Sequence, residues 1–293
     1  MLLILKIIEV VAPVFLLASI GFAWVKLGIE YRLRFVTQLS MTLGVPCLIF
    51  TALMQTEINP SALAELSIAT IVVYGVITLI TAITIWILRI KPRVYLAPMI
   101  FGNTGNLGLP LALFAFGDIG LGYAVVVFAI MAIWAFTFGI WVMAGGGNLF
   151  QLIKEPMVAA TLLGVLFLWQ GWETPQFMTN TLELIGQIAI PLMLITLGVA
   201  VARPSTIGIG YTFFLSLLKL AICFGIAWTI GKQFNLDNTA FAVLVLQVST
   251  PVAVTSYLLA EKYGVEADKV ASFVVISTLV SVIALPGILA LTL

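Results

Sequence analysis

Residues 101–117 read FGNTGNLGLPLALFAFG. They sit inside a run apolar enough to cross a lipid bilayer, yet they carry Asn103, Thr104 and Asn106, with Gly102, Gly105 and Gly108 ahead of Pro110. A second stretch, LQVSTPVAVTSYLLAEKYG, places Gln247, Ser249, Thr250 and Thr255 around Pro251. Amides and hydroxyls offer hydrogen bonds without the cost of a fixed buried charge. Glycines allow another backbone to approach closely, and Gly and Pro interrupt a helix. An interrupted membrane helix frees backbone N–H and C=O groups, which are tolerated only against protein or a water-filled cavity. The freed N-termini of half-helices carry partial positive charge and unpaired donors. A carboxylate suits such a place, so these residue types point to binding of a small organic anion rather than to bond-breaking.

Composition narrows the classes. Of 293 residues, 62% are hydrophobic and 9% charged, so the apolar surface cannot be hidden in a water-facing core and an integral membrane protein is expected. The formal net charge of +1 gives no field to draw in nucleic acid. Histidine is absent, which removes the commonest general base and metal ligand, and no metal site is expected. Cys47 and Cys223 lie in apolar runs and read as small core residues.

Stepping along the chain gives ten apolar runs, each long enough for a membrane helix: approximately Val10–Leu27, Phe35–Met54, Leu66–Leu88, Val94–Gly117, Leu121–Ala144, Pro156–Trp172, Phe177–Ala202, Gly208–Ile230, Thr239–Ala260 and Val270–Leu293. The N-terminal run is too long for a signal peptide and lacks a small-x-small cleavage site, so it reads as the first span. Lys26, Arg32, Arg34, Arg89, Lys91, Arg93, Lys154, Arg203, Lys262 and Lys269 fall in alternate loops, ten of the thirteen basic residues. Lys6 and Lys232 lie on the other side and Lys219 lies within a span. That asymmetry predicts a multi-pass protein of the cell membrane with both termini outside the cytoplasm.

The loop GGGNLFQLIKE divides the chain into residues 1–145, a linker at 146–155, and residues 156–293. Five spans per half make the second half run opposite to the first, the inverted repeat of many secondary transporters. Pro46 in LGVPCLIF and Pro191 in IAIPLMLI sit in the second span of each half. The breaks near Gly102-Asn103 and Thr250-Pro251 sit in the fourth. Gly102, Gly108, Pro110, Pro46 and Pro191 are therefore candidate hinge or crossover residues. Candidate substrate contacts are Asn103, Thr104, Gly105, Asn106, Gln247, Ser249, Thr250, Pro251, Thr255 and Lys219. Each polar residue has a plainer alternative. Asn106 can bond a neighbouring helix, and Ser249 or Thr255 can bond back to its own. Ser277, Thr278 and Ser281 read as packing residues. Lys219, within the eighth span, can balance a substrate carboxylate, meet a helix C-terminus, or snorkel to the interface.

GNTGNLGLPLALFAFG resembles the fourth-span signature of the auxin efflux carrier family. STPVAVTSYLLAEKYGVEADKVASFVVISTLVSVIALPGIL resembles that family's C-terminal signature, and the likeness extends over essentially the whole chain. The resemblance implies a 5+5 inverted-repeat fold with crossed broken helices, akin to sodium/proton antiporters and bile-acid sodium symporters. Spans 1, 2, 6 and 7 would form a scaffold, and spans 3–5 and 8–10 a moving transport domain. It implies export of auxin-like acids in plant members, and malonate or malate transport in prokaryotic ones. It also implies a substrate-binding Asn at Asn103, a crossover proline at Pro251, and a homodimer. The short central loop is similar to prokaryotic forms. Val252 departs from relatives with a polar residue after that proline, which leaves the polar contribution of this half open.

The expected mechanism is alternating access. Spans 4 and 9 carry no mid-span carboxylate for protons, so coupling to Na+ or uncoupled movement stays open, and no cofactor is expected. A channel would need a repeated filter motif, which is missing. An intramembrane enzyme would need a nucleophile with a base, paired acids or a metal set, and none is visible. A sodium-coupled bile-acid-type symporter is the nearest alternative.

Overall fold

The computed structural model describes residues 2–55, 58–146, 156–202 and 208–292. Most of the linker, with Lys154, and Arg203 lie outside the described residues. The described chain is helical, and its one β-type contact is an isolated bridge. By length and composition alone, 6 helices can cross a membrane, and three further apolar helices are shorter. Large apolar side chains cover the exterior, with Ile283 at 82% exposure, as expected where lipid is the solvent.

The helices run α1 (Leu2–Lys26), α2 (Leu33–Leu39), α3 (Val45–Met54), α4 (Pro60–Leu88), α5 (Pro92–Ile100), α6 (Leu109–Trp134), α7 (Ile140–Ala144), α8 (Pro156–Gln170), α9 (Gln176–Ala202), α10 (Ile209–Gly231), α11 (Asn238–Val248), α12 (Val254–Lys262) and α13 (Ala267–Thr292). Wider π turns at Ser40–Gly44, Thr104–Gly108 and Ala135–Gly139 join α2 to α3, lead into α6, and join α6 to α7. Two of them stand just before Pro46 and Pro110. Proline lacks the N–H that would continue the ladder, so the preceding turn widens. Within α6, Gly117 has φ +66° and ψ −155°, a conformation open only to glycine, and the chain turns sharply there. Caps set the starts of α4 and α11. Asn59 Oδ1 accepts from the Ser61 N–H at 3.0 Å, and Asp237 Oδ1 accepts from the Ala240 N–H at 2.8 Å.

Small residues let some helices touch backbone to backbone. A Cβ on Gly198 would lie 1.7 Å from the Ala18 carbonyl oxygen, and one on Gly21 would lie 2.0 Å from that of Ile195. This contact locks α1 against α9. α3 packs on α8 and α9, while α10 packs on α4 and α13, and α11 on α6. The site lies among α5, α6, α11 and α12.

Candidate functional site

Two helix interruptions build the site. α5 stops at Ile100 and helix resumes at Thr104; α11 stops at Val248 and α12 starts at Val254. Phe101 and Ala253 are extended, and Gly102 pairs with Val252 in an antiparallel bridge. The Asn103 N–H donates to the Pro251 carbonyl at 2.6 Å. Backbone groups that would cost several kcal/mol each if left bare in an apolar medium thus satisfy one another.

Glycine makes the approach feasible. A Cβ on Gly102 would stand 2.2 Å from Thr250 Oγ1, and one on Gly108 would stand 2.0 Å from Gln247 Oε1. Thr250 Oγ1 itself donates to the Gln247 carbonyl at 2.7 Å. The Val252 N–H donates to Ser277 Oγ of α13 at 3.0 Å, and Lys219 Nζ of α10 donates to the Thr250 carbonyl at 3.0 Å. Val252 contributes its backbone here and not its side chain. Ser277, read from the sequence as packing, holds the second break. Its serine-threonine context carries no local signal for a partner 25 residues away.

Side chains around the breaks retain unused hydrogen-bonding capacity. Buried Asn103 Nδ2, Thr104 Oγ1, Asn106 Oδ1, Ser249 Oγ and both amide atoms of Gln247 have no hydrogen-bond partner among the described residues. Native structures leave few such groups, and clusters of them mark places where function has overridden packing. Gly102, Asn103, Gly105, Asn106 and Thr255 line one cavity of about 40 Å³, together with Ser256, which sequence reasoning missed. Met41, from the π turn after α2, closes part of the wall. No charged side chain lines it. Neither helix that begins at the breaks has a side-chain cap, so their first N–H groups supply the local positive potential.

The other candidates lie elsewhere. Ser249, Thr250, Pro251 and Lys219 line a separate cavity of about 10 Å³ with Ser216 and Ser277. Thr104 and Gln247 are fully buried in neither cavity, between the two breaks. Pro110 is buried in the first turn of α6, and Pro46 opens α3. Pro191 lines a larger cleft of about 870 Å³ with Leu113, Gln55, Asp118 and Glu183. In that cleft Gln55 Nε2 donates to Glu183 Oε1 at 2.6 Å.

Against known proteins, the chain matches the membrane transport protein family over residues 6–150 and 147–289. The chain belongs to this auxin efflux carrier family. It is 26% identical over 269 residues, 84% of this chain and 83% of the other, to a Rhizobium meliloti protein named "Putative malonate transporter". It is 26% identical over 201 residues to an uncharacterized transporter of Methanocaldococcus jannaschii, a match covering 64% of each chain. Over 149 residues it is 28% identical to auxin efflux carrier component 8 of Arabidopsis thaliana, covering 48% of this chain and 39% of that one. The chain is accordingly a membrane transporter of this family, and its relatives are transporters rather than enzymes.

Proposed function

We propose that this family member moves a small carboxylate across the cell membrane by alternating access, with the substrate held at the amides of the first break. The observation that carries the reading is the bridge between Gly102 and Val252, beside a cavity into which Asn103 and Asn106 contribute unsatisfied amides. The Asn103 Nδ2 and the N–H groups of the half-helix N-termini would donate to the carboxylate oxygens, and Asn106 Oδ1 would accept from a protonated or hydroxyl group of the substrate. Thr255 and Ser256 would supply further hydroxyls from the wall.

In this reading ten spans form a 5+5 inverted repeat. Spans 1, 2, 6 and 7 are the scaffold, and spans 3–5 and 8–10 move past it. The glycine-mediated lock of α1 on α9 supports a rigid scaffold, and Met41 brings a scaffold residue to the cavity wall. The cavity of about 40 Å³ has room for roughly three water-sized spheres, so a dicarboxylate requires the domains to part. The cleft at Pro191, Leu113 and Glu183 is the natural path to one side. Both termini face away from the cytoplasm in this arrangement, and the working unit is a homodimer. The name carried by the Rhizobium relative makes malonate the first substrate to try.

The test is uptake of labelled malonate and malate into proteoliposomes by the wild type and Asn103→Ala. Uptake by the wild type that falls at least several-fold in the variant supports the reading. Equal uptake by both displaces the site from Asn103.

A further inference from the structure

Lys219 is a buried cation that the site above does not use. It is the eleventh of 23 residues in α10, roughly 15 Å along the axis from either end, and is 2% exposed. Its stem is too short to bring the ammonium to either interface from there. No carboxylate among the described residues pairs with it; the ion pairs seen involve Glu30, Glu261 and Glu266. Its contacts are the Thr250 carbonyl at 3.0 Å and the Cys223 thiol at 3.8 Å. It does not line the cavity of Asn103 and Asn106.

Thr250 stands two residues beyond the end of α11. The C-terminal end of a half-helix carries partial negative charge, and the unwound carbonyls beyond it are good ligands for a cation. In broken-helix transporters such ends can hold Na+ from solution. Here the position is filled by an ammonium on the protein's own chain. The surrounding cavity of about 10 Å³ has room for about one water. The counterpart helix of the first half, α4, carries no basic residue at all.

We propose that Lys219 is a positioning residue that supplies the second break with a tethered cation, so that the transport cycle needs no metal cation from solution. The proposal rests on the transporter reading above and adds to it that no coupling metal ion is taken from solution. A buried ammonium at a carbonyl end stabilises the bent backbone of Ser249–Ala253. That backbone in turn offers the Pro251 carbonyl to Asn103. Lys219 thus acts on the substrate site through two hydrogen bonds and does not touch the substrate.

The experiment compares wild type, Lys219→Ala and Lys219→Arg in proteoliposomes with Na+, K+ or N-methylglucamine as the sole cation at matched ionic strength. Wild-type malonate uptake should agree within about twofold in all three. Lys219→Ala should lose about tenfold in N-methylglucamine, through the maximal rate rather than KM. Na+ or methylammonium should restore it in a saturable way. A wild type that requires Na+ overturns the proposal. So does a Lys219→Ala variant as active as wild type in N-methylglucamine, one with raised KM and intact maximal rate, or one that no cation rescues.

Thermal unfolding in detergent gives a readout independent of transport. Wild type should melt at one temperature whatever the cation. Lys219→Ala should melt several degrees lower and recover with Na+ or methylammonium. If the wild type moves no malonate, the substrate reading fails while the melting series still decides the role of Lys219. A melting temperature of Lys219→Ala unchanged by any cation overturns it.

Discussion

The two helix breaks meet as a pair yet are built from different chemistry. The first, Phe101–Asn103, is bordered by amides and glycines, and no charged side chain lines the cavity beside it. The second, Ser249–Ala253, is held from outside by Lys219 on its Thr250 carbonyl and by Ser277 on its Val252 N–H. Both breaks leave polar side chains unpaired, Asn103 and Asn106 at the first and Gln247 and Ser249 at the second, but the second also has its backbone held by side chains of α10 and α13. In the proposed reading the amides of the first break lead recognition, and Lys219 and Ser277 support the second break. A binding group must exchange protein partners for substrate, whereas a supporting group must keep the partner it has.

The largest expected effect comes from destroying the meeting point. Gly102→Ala drives a Cβ to 2.2 Å from Thr250 Oγ1 and 3.2 Å from the Thr250 carbonyl oxygen. Overpacking against such a fixed segment costs about 1–3 kcal/mol, and both uptake and melting temperature should fall together. Gly108→Ala meets the end of the flexible Gln247 side chain at 2.0 Å and should cost less in the same assay. If Gly102→Ala is as mild as Gly108→Ala, the two breaks do not depend on each other.

Asn103→Ala should separate function from stability. The Nδ2 has no partner among the described residues, so melting should change little while uptake drops about 10- to 100-fold, the range expected for losing a hydrogen bond to a charged group. Ser277→Ala should do the reverse. Leaving the buried Val252 N–H without its acceptor costs about 1–3 kcal/mol, read as a lowered melting temperature, with substrate affinity retained.

Much of the local structure is written in the sequence: the helices break at Gly102 and Pro251, where glycine or proline stands among small polar residues, although Pro191 and Pro286 lie inside continuous helices. The long-range partners are not written there. Ser277 reaching Val252, Lys219 reaching Thr250, and Gly108 facing Gln247 all join segments whose order in space no hydrophobic period encodes. Lys219 illustrates the limit. Its place within an apolar span follows from sequence alone, but the choice between carboxylate, interface and helix end depended on which carbonyl lay within 3.0 Å. The division of the cavity from the Lys219 pocket was equally invisible, since Thr250 and Thr255 look alike on paper and face different spaces.

The smallest effect belongs far from either break. At the start of α13, Lys269 and then Lys91 hold the Glu266 carboxyl at about 2, below its ordinary value of 4.5. A depressed carboxylate contributes stability that is full above the ordinary value and is lost as pH falls through about 2. Glu266 is partly exposed at the surface, so solvent screens the interaction. Between about pH 5 and 8 the melting temperatures of wild type and Glu266→Gln should therefore run parallel, and only below that window should they converge. A difference that varies within the window would tie this surface cluster to the transport machinery.

The most direct test of the division of labour is calorimetric affinity for the transported acid in detergent, measured for wild type, Asn103→Ala and Ser277→Ala. The account predicts that Asn103→Ala loses about tenfold or more in affinity while Ser277→Ala stays within a few-fold of wild type. Equal losses in the two variants, or a loss confined to Ser277→Ala, would contradict the assignment of recognition to the first break.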